Sequence, residues 1–229
     1  MNEWLNKLHE TFIVDDRWKM LPQGLLNTLI ITAGALAIGL VIGTLVAAVK
    51  YMTEDSKKFA PLRYICSLYV TVIRGIPVVV QLLIFYFVIF ASSNNGVFVA
   101  TITFGINSGA YMAEIIRSGL SAVEIGQMEA GRSLGMSKVQ TMTRIVLPQA
   151  IRYIIPAVGN EFIALLKETS VAGYVAVVDL TRAGNLIRNR TFDAINPLLV
   201  VAITYLVIVV ALTKLLGLLE RRLKKSDKC

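Results

Sequence analysis

Two charged side chains, Arg74 and Glu161, fall inside stretches that are otherwise apolar, and a charge in hydrocarbon is costly enough to be a functional candidate by default. The chemistry they offer is ion pairing and hydrogen bonding. Glu161, with Asn160 beside it, can accept from an ammonium or another cation, while Asn107 and Tyr111, one helical turn apart, carry donors and acceptors of their own. Each charge also has a plainer reading. Arg74 could be a structural counter-ion or could reach to the headgroups, and Glu161 could be salt-bridged to Arg74 or Lys167 for packing alone.

Bond-breaking chemistry finds little support. Gly131-Arg-Ser-Leu-Gly135 matches a G-x-S-x-G nucleophile elbow, but that motif needs a strand before it, a helix after it and a histidine to take the proton, and His9 is the only histidine. A helix terminated by Gly135 explains the same letters. Two cysteines, Cys66 and Cys229, make neither a disulfide framework nor a Cys/His metal cluster. A G-x-x-x-x-G-K-[ST] phosphate loop is absent, so the chain does not bind ATP in the usual way.

The elements that must position these groups are membrane helices. With 55% hydrophobic and 17% charged residues among 229, and a mean hydropathy of +0.66, the chain is too apolar for an ordinary soluble domain. The composition predicts an all-α integral membrane protein of five transmembrane helices. The first spans 22–49, uncharged and ~40 Å long at 1.5 Å per residue. Its Ala35, Gly39, Gly43 and Ala47 repeat every four residues and make a face for close helix packing. Passes over 62–91, with an internal Arg74-Gly-Ile-Pro77 break, and 97–116 are separated by the turn-forming Ala91-Ser-Ser-Asn-Asn-Gly96. The fourth, 150–170, carries Glu161 and inserts only by leaning on neighbours, with Glu161 toward the bundle interior. The fifth is 197–219.

Loop charges orient the bundle. Lys50, Lys57, Lys58 and Arg63 follow the first pass; Arg117, Arg132, Lys138, Arg144 and Arg152 follow the third; Arg221, Arg222, Lys224, Lys225 and Lys228 follow the fifth. These segments, with the basic tail 220–229, are expected in the cytoplasm, and the net charge of +8 reads as topology rather than as a nucleic-acid surface. Segment 1–21 balances acids and bases and is expected outside, without a cleaved signal peptide. Its Trp4, Leu5, Leu8 and Phe12, at helical spacing, suit the membrane interface. The inner loop, 118–149, predicts a helical hairpin: Val123 to Leu134, stopped by Gly135, then a helix opened by a Ser137/Gln140 capping box and ended at Pro148.

Glu129-Ala-Gly-Arg-Ser-Leu-Gly135, nine residues, then Ile145-Val-Leu-Pro148 resembles the EAA loop of ABC-importer permeases, with Gly131 in place of the second alanine. Tyr69-Val-Thr-Val-Ile-Arg-Gly-Ile-Pro77, Asn107-Ser-Gly-Ala-Tyr-Met-Ala-Glu114, Gly126-Gln-Met-Glu129, Leu147-Pro-Gln-Ala150 and Leu166-Lys-Glu-Thr-Ser170 are similar to landmarks of the polar amino-acid (histidine/glutamine/arginine-type) family. The resemblance implies a type I ABC-importer-like fold and a non-catalytic permease subunit in a bacterial inner membrane. It implies two permease copies, identical or not, two ATP-binding subunits that carry the ATP and Mg, and an extracytoplasmic substrate-binding protein. Glu129, Ala130, Gly131, Arg132 and Gly135 become the coupling residues, with Ala130 and Gly131 deep in the partner's groove.

An amino-acid substrate then gives the polar groups a task. Arg74, Asn107, Tyr111, Asn160, Glu161 and Thr169 are the substrate-binding candidates, Thr169 with Ser170 as a gate. The substrate carboxylate would meet Arg74 or the amides freed where a half-helix starts after Pro77. An acid at position 161 favours a basic substrate, with glutamine or cystine as alternatives. Outer loop 171–196, with Arg182, Arg188 and Arg190, suits the binding protein. An ion-coupled secondary transporter ranks below, since it expects internal repeats and more intramembrane acids.

Overall fold

The computed structural model describes residues 2–53 and 56–225, and within them the chain is almost wholly helical, with no strand. Cys229, Lys228 and the side chains of Lys224 and Lys225, named above, lie outside the described residues.

The uncharged run after Lys19 becomes α2, Met20–Met52, 33 residues long and slightly longer at each end than the pass expected from sequence. Its buried stripe includes Ala35, Gly39, Gly43 and Ala47, and it lies on α5, Gly96–Ser121. Glycine makes the approach possible from both sides. A Cβ on Gly39 would sit 2.8 Å from Ser108 Oγ, and one on Gly43 would collide with Met112 and lie 2.8 Å from Ala113 N. One on Gly105 would be 2.7 Å from Ile38 Cβ, and one on Gly109 2.8 Å from Ile42 Cγ2. With lipid tails as apolar as leucine, such close backbone packing is what holds membrane helices together.

The second pass is a broken one. Helix α3, Ala60–Gly75, and α4, Val78–Ile84, which runs on through a π-turn at Phe85–Ile89, meet at a bend of 105°. Pro77 heads α4, a position at which that helix asks no N–H of it, and Ile76 is extended. α5 opens on the Asn95 side chain, which accepts from Phe98 N at 3.0 Å, and it runs five residues past the expected end at 116, so the connection called 118–149 begins only after Ser121.

That connection is the expected hairpin, with one difference. α6, Ile125–Ser133, ends as Gly135 turns left-handed at φ 81°, with Gly135 N donating to Arg132 O and Met136 N to Gly131 O, a Schellman closure. The capping box of Ser137 and Gln140 starts α7, Lys138–Thr141. Pro148 does not end this helix. A π-turn at Met142–Val146, closed by Leu147 N to Met142 O, leads directly into α8, Leu147–Glu168. A proline's ring normally strikes the carbonyl four residues back, and the widened turn ahead of it supplies the room.

The expected outer loop is helical too. A 3-10 segment, Thr169–Val175, leads through left-handed Ala176 to α9, Leu180–Thr191, capped by Asp179, whose carboxylate accepts from Thr181 N at 2.9 Å and Arg182 N at 3.2 Å. α9 rests on the start of α2, where Asn27 donates to Val178 O at 2.9 Å and Leu180 N donates to Thr28 Oγ1 at 3.1 Å. The last helix, α10, Asn196–Lys225, is only 6% buried over its most apolar window. Among the described residues three helices are long and apolar enough to cross a membrane, or four if the bent pair is one span; α8 does not qualify on apolarity.

At the N-terminus, α1, Asn2–Leu8, leads through Asp15 and Asp16, both left-handed, into α2. Trp4, Leu5, Ile13 and Trp18 are exposed. This segment is tied down at one point: Thr11 Oγ1 donates to Asp193 Oδ2 at 2.9 Å across 182 residues of sequence, and the same carboxylate receives Asn196 Nδ2 at 2.6 Å. Burial works to raise the Asp193 carboxyl pKa, but the hydrogen bonds from Asn196, Thr11 and Ile195 N outweigh it and hold it below the usual value.

Two outcomes follow from these contacts. Gly43→Val, with no space at its Cβ, is expected to cost roughly 1–3 kcal/mol in thermal unfolding, whereas Gly217→Ala, with nothing within 4 Å, is neutral or slightly stabilising. Because the folded Asp193 carboxyl is depressed, its contribution to stability is present above the unfolded carboxyl pKa of about 3.9 and is lost as pH falls through the lower folded value. Proteolysis within residues 3–19 is therefore expected to rise in that acid window, and in Asp193→Asn already at neutral pH; equal cleavage of variant and parent would deny the tether.

Candidate functional site

Three helices meet around one carboxylate. Glu161 sits half-buried on α8, and its Oε1 accepts a hydrogen bond from Ser108 Oγ of α5 at 3.0 Å. Ser108 is fully buried against α2 opposite Gly39, whose missing side chain leaves the hydroxyl room to reach across. Glu161 pairs with neither Arg74 nor Lys167: the ion pairs among the described residues are Arg17–Asp15, Lys19–Asp16 and Arg117–Glu114. A half-buried carboxylate with one neutral partner retains capacity for a cation.

The other candidates distribute unevenly around it. Arg74, exposed at the end of α3, lays its guanidinium over the Tyr111 ring with Cζ 5.1 Å from the centroid, a cation–π contact between α3 and α5. Asn107 is buried and donates to Gln81 Oε1 at 3.3 Å, so it and Tyr111 face α4 and α3 respectively. Asn160 is exposed and does not join Glu161, since consecutive helical residues point about 100° apart. Thr169 is fully buried, with its hydroxyl donating to Leu166 O at 2.8 Å inside its own turn.

Two residues of this region were not singled out from sequence. Ser108 lay unremarked inside the Asn107-Ser-Gly run. Gln81 is the lone amide in Val78–Ile84, a signal that was present: its Nε2 donates to Ile73 O at 2.7 Å and Ile76 O at 2.8 Å. At the break it is therefore carbonyl groups that had to be covered, and a side chain covers them.

The hairpin forms a second candidate surface. Glu129, Ala130 and Arg132 are exposed, as are the apolar Ile125 and Leu134, at 77% and 82%. Arg132 Nη1 donates to Met136 O at 2.8 Å, fastening the turn around Gly135. Gly131 points the other way: it is buried, and a Cβ there would lie 2.5 Å from Thr141 Cγ2 and 3.0 Å from Ile145 Cδ1. The expectation that Ala130 and Gly131 enter a partner's groove together is thus split, because Gly131 is used up where the hairpin's two arms touch.

The profile of a family described as "Binding-protein-dependent transport system inner membrane component" matches residues 39–225, and the chain belongs to that family of ABC-importer permeases. Among curated relatives it is 36% identical to a probable glutamine ABC transporter permease of Bacillus subtilis (strain 168), over 93% of this chain and 98% of that one. It is 34% identical to the arginine transport system permease of the same organism, over 90% and 93%. Among solved structures it resembles a chain of an amino acid ABC transporter crystallised with histidines, at a TM-score of 0.84 and 39% identity, covering 91% of this chain and 96% of the other. The all-helical membrane architecture is that of type I importer permeases.

The split within the hairpin has a direct consequence. Gly131→Leu is expected to lower the melting temperature through overpacking worth roughly 1–3 kcal/mol, while Ala130→Leu stays within about 0.5 kcal/mol of the parent. Equal stabilities would mean that the two arms do not meet at Gly131.

Proposed function

We propose that this chain is the permease subunit of an ATP-driven importer for a polar amino acid, and that a basic one, arginine, lysine or histidine, is preferred. The observation that carries the preference is the Glu161 carboxylate, half-buried at the junction of α2, α5 and α8 with a single neutral hydrogen-bond donor, Ser108. A cation entering there would find an acceptor whose competing water is reduced, which strengthens the contact. Asn107 and Tyr111, one turn apart on α5, and Arg74, stacked on Tyr111 from α3, are suited to a carboxylate and its neighbours. Asn160 and Thr169 are assigned lesser parts, the one exposed and the other already bonded within its turn. Glutamine is the second reading, favoured by the glutamine permease among the relatives; cystine stands behind it.

Five crossings are proposed: α2, the bent pair α3–α4, α5, α8 and α10, with α8 shielded by its neighbours. The N-terminus then lies outside and the C-terminus in the cytoplasm, as the basic residues after the first, third and fifth crossings require. On that side the hairpin Ile125–Val146, through Glu129, Ala130, Arg132 and the Gly135 turn, docks on one of two ATP-binding subunits, which supply the ATP and Mg chemistry. Gly131 keeps the hairpin closed. Because α7 runs unbroken into α8, a push on the hairpin reaches Glu161 along one continuous helix. A second permease copy and the lipid cover the exposed faces of α3 and α10, and a substrate-binding protein delivers the amino acid from outside.

In proteoliposomes holding the assembled complex, Glu161→Gln is expected to lower uptake of arginine relative to glutamine by about ten- to hundredfold. That is the equivalent of one charge-assisted hydrogen bond of roughly 1.5–3 kcal/mol. An unchanged arginine-to-glutamine ratio would remove the side-chain preference from Glu161, and uptake driven by an ion gradient without ATP would remove the importer mechanism.

A further inference from the structure

Proline 77 leaves a specific debt in the backbone. In an uninterrupted helix the carbonyl of Ile73 would receive the N–H four residues on, which is that of Pro77, and proline has none. The carbonyl of Ile76 is lost to the helix as well, because Ile76 is extended and Val80 N and Gln81 N both donate to Pro77 O instead. Gln81 meets both needs. Its side chain is 3% exposed, its two amide hydrogens go to Ile73 O and Ile76 O at 2.7 and 2.8 Å, and its oxygen receives Asn107 Nδ2 of α5 at 3.3 Å. Both donors of the amide are engaged, and its orientation is dictated by the two carbonyls it faces.

We infer that Gln81 is a positioning residue for the transport site: it stands in for the proline's missing N–H and clasps the α3–α4 break to Asn107. The inference rests on the reading of Glu161 and its neighbours as that site. The clasp fixes two things at once. It holds the 105° bend, because straightening would pull Ile73 O away from the Gln81 side chain. It also sets the register of the break on α5 at Asn107, one residue before Ser108, which holds Glu161, and one turn before Tyr111, on which Arg74 is stacked. Leucine at position 81 would fill similar volume while leaving the part-buried Ile73 and Ile76 carbonyls and the Asn107 amide without this partner.

The test uses the assembled complex in proteoliposomes with saturating binding protein, reading KM and maximal uptake beside the melting temperature. Gln81→Leu is expected to lower uptake tenfold or more. Pro77→Ala added to it gives Ile73 O a backbone donor again, so the double variant is expected to regain thermal stability without regaining uptake, because the bend is then no longer imposed. Gln81→Leu combined with Asn107→Ala is expected to lose less than the product of the two single losses, because both variants break the one clasp. Should Gln81→Leu fail to assemble, Gln81→Asn, which keeps the amide but is one methylene short, is read in its place, alone and in both combinations. Uptake within twofold of the parent, recovery of uptake together with stability in the Pro77→Ala double variant, or fully additive losses with Asn107→Ala would each overturn the inference. All readings are taken relative to the unmodified complex and whatever amino acid it imports, so a wrong substrate assignment fails separately.

Discussion

The close approach of α2 and α5 governs this structure. Glycines face side chains in both directions across it: Gly39 and Gly43 receive Ser108 and Met112, while Gly105 and Gly109 receive Ile38 and Ile42. In a bilayer no hydrophobic gain accompanies helix pairing, so contact area at short range has to supply the attraction. The same spacing has a chemical result. Where Gly39 leaves room, Ser108 turns toward α8 and meets Glu161, so the packing seam and the polar junction are one place seen from two sides.

Prolines punctuate the bundle in two different ways. At Pro77 the helix gives way by 105°, and the carbonyls left over are capped by Gln81 from the far side of the bend. At Pro148 the helix continues, because a π-turn at Met142–Val146 widens the preceding turn. The difference fits the surroundings. Before Pro77 stands an extended Ile76 and an unencumbered Gly75, whereas the helix before Pro148 has already begun at a capping box headed by Ser137, eleven residues earlier, and is packed through Val146 and Ala150. The same residue type therefore stands at a sharp bend and within an uninterrupted helical passage of one chain.

Much of this was legible beforehand, and for local reasons. The uncharged run of α2, its stripe of small residues, the left-handed stop at Gly135 and the capping box at Ser137 depend on side chains within a turn or two of one another. The end of α5, the passage through Pro148 and the helix within 171–196 differ from the sequence expectation; in the last case an amphipathic segment of loop-like composition is held as α9 on α2 through Asn27 and Thr28. Gln81 is a usable signal, a lone amide among the apolar residues of Val78–Ile84.

What the sequence determined on its own is the long apolar helices, the break at Pro77, the stop at Gly135 and the cap at Ser137, and the presence of a few costly polar groups among apolar ones, because each of these follows from period, charge and short-range hydrogen bonding. Which polar groups meet was decided only in three dimensions. Glu161 chose Ser108 over Arg74, Asn107 chose Gln81, and Asn160 faced away from both. Such pairings join residues 26 and 53 positions apart and turn on the rotation of each helix about its axis, which glycine contacts between neighbouring helices set and no stretch of one strand of sequence contains.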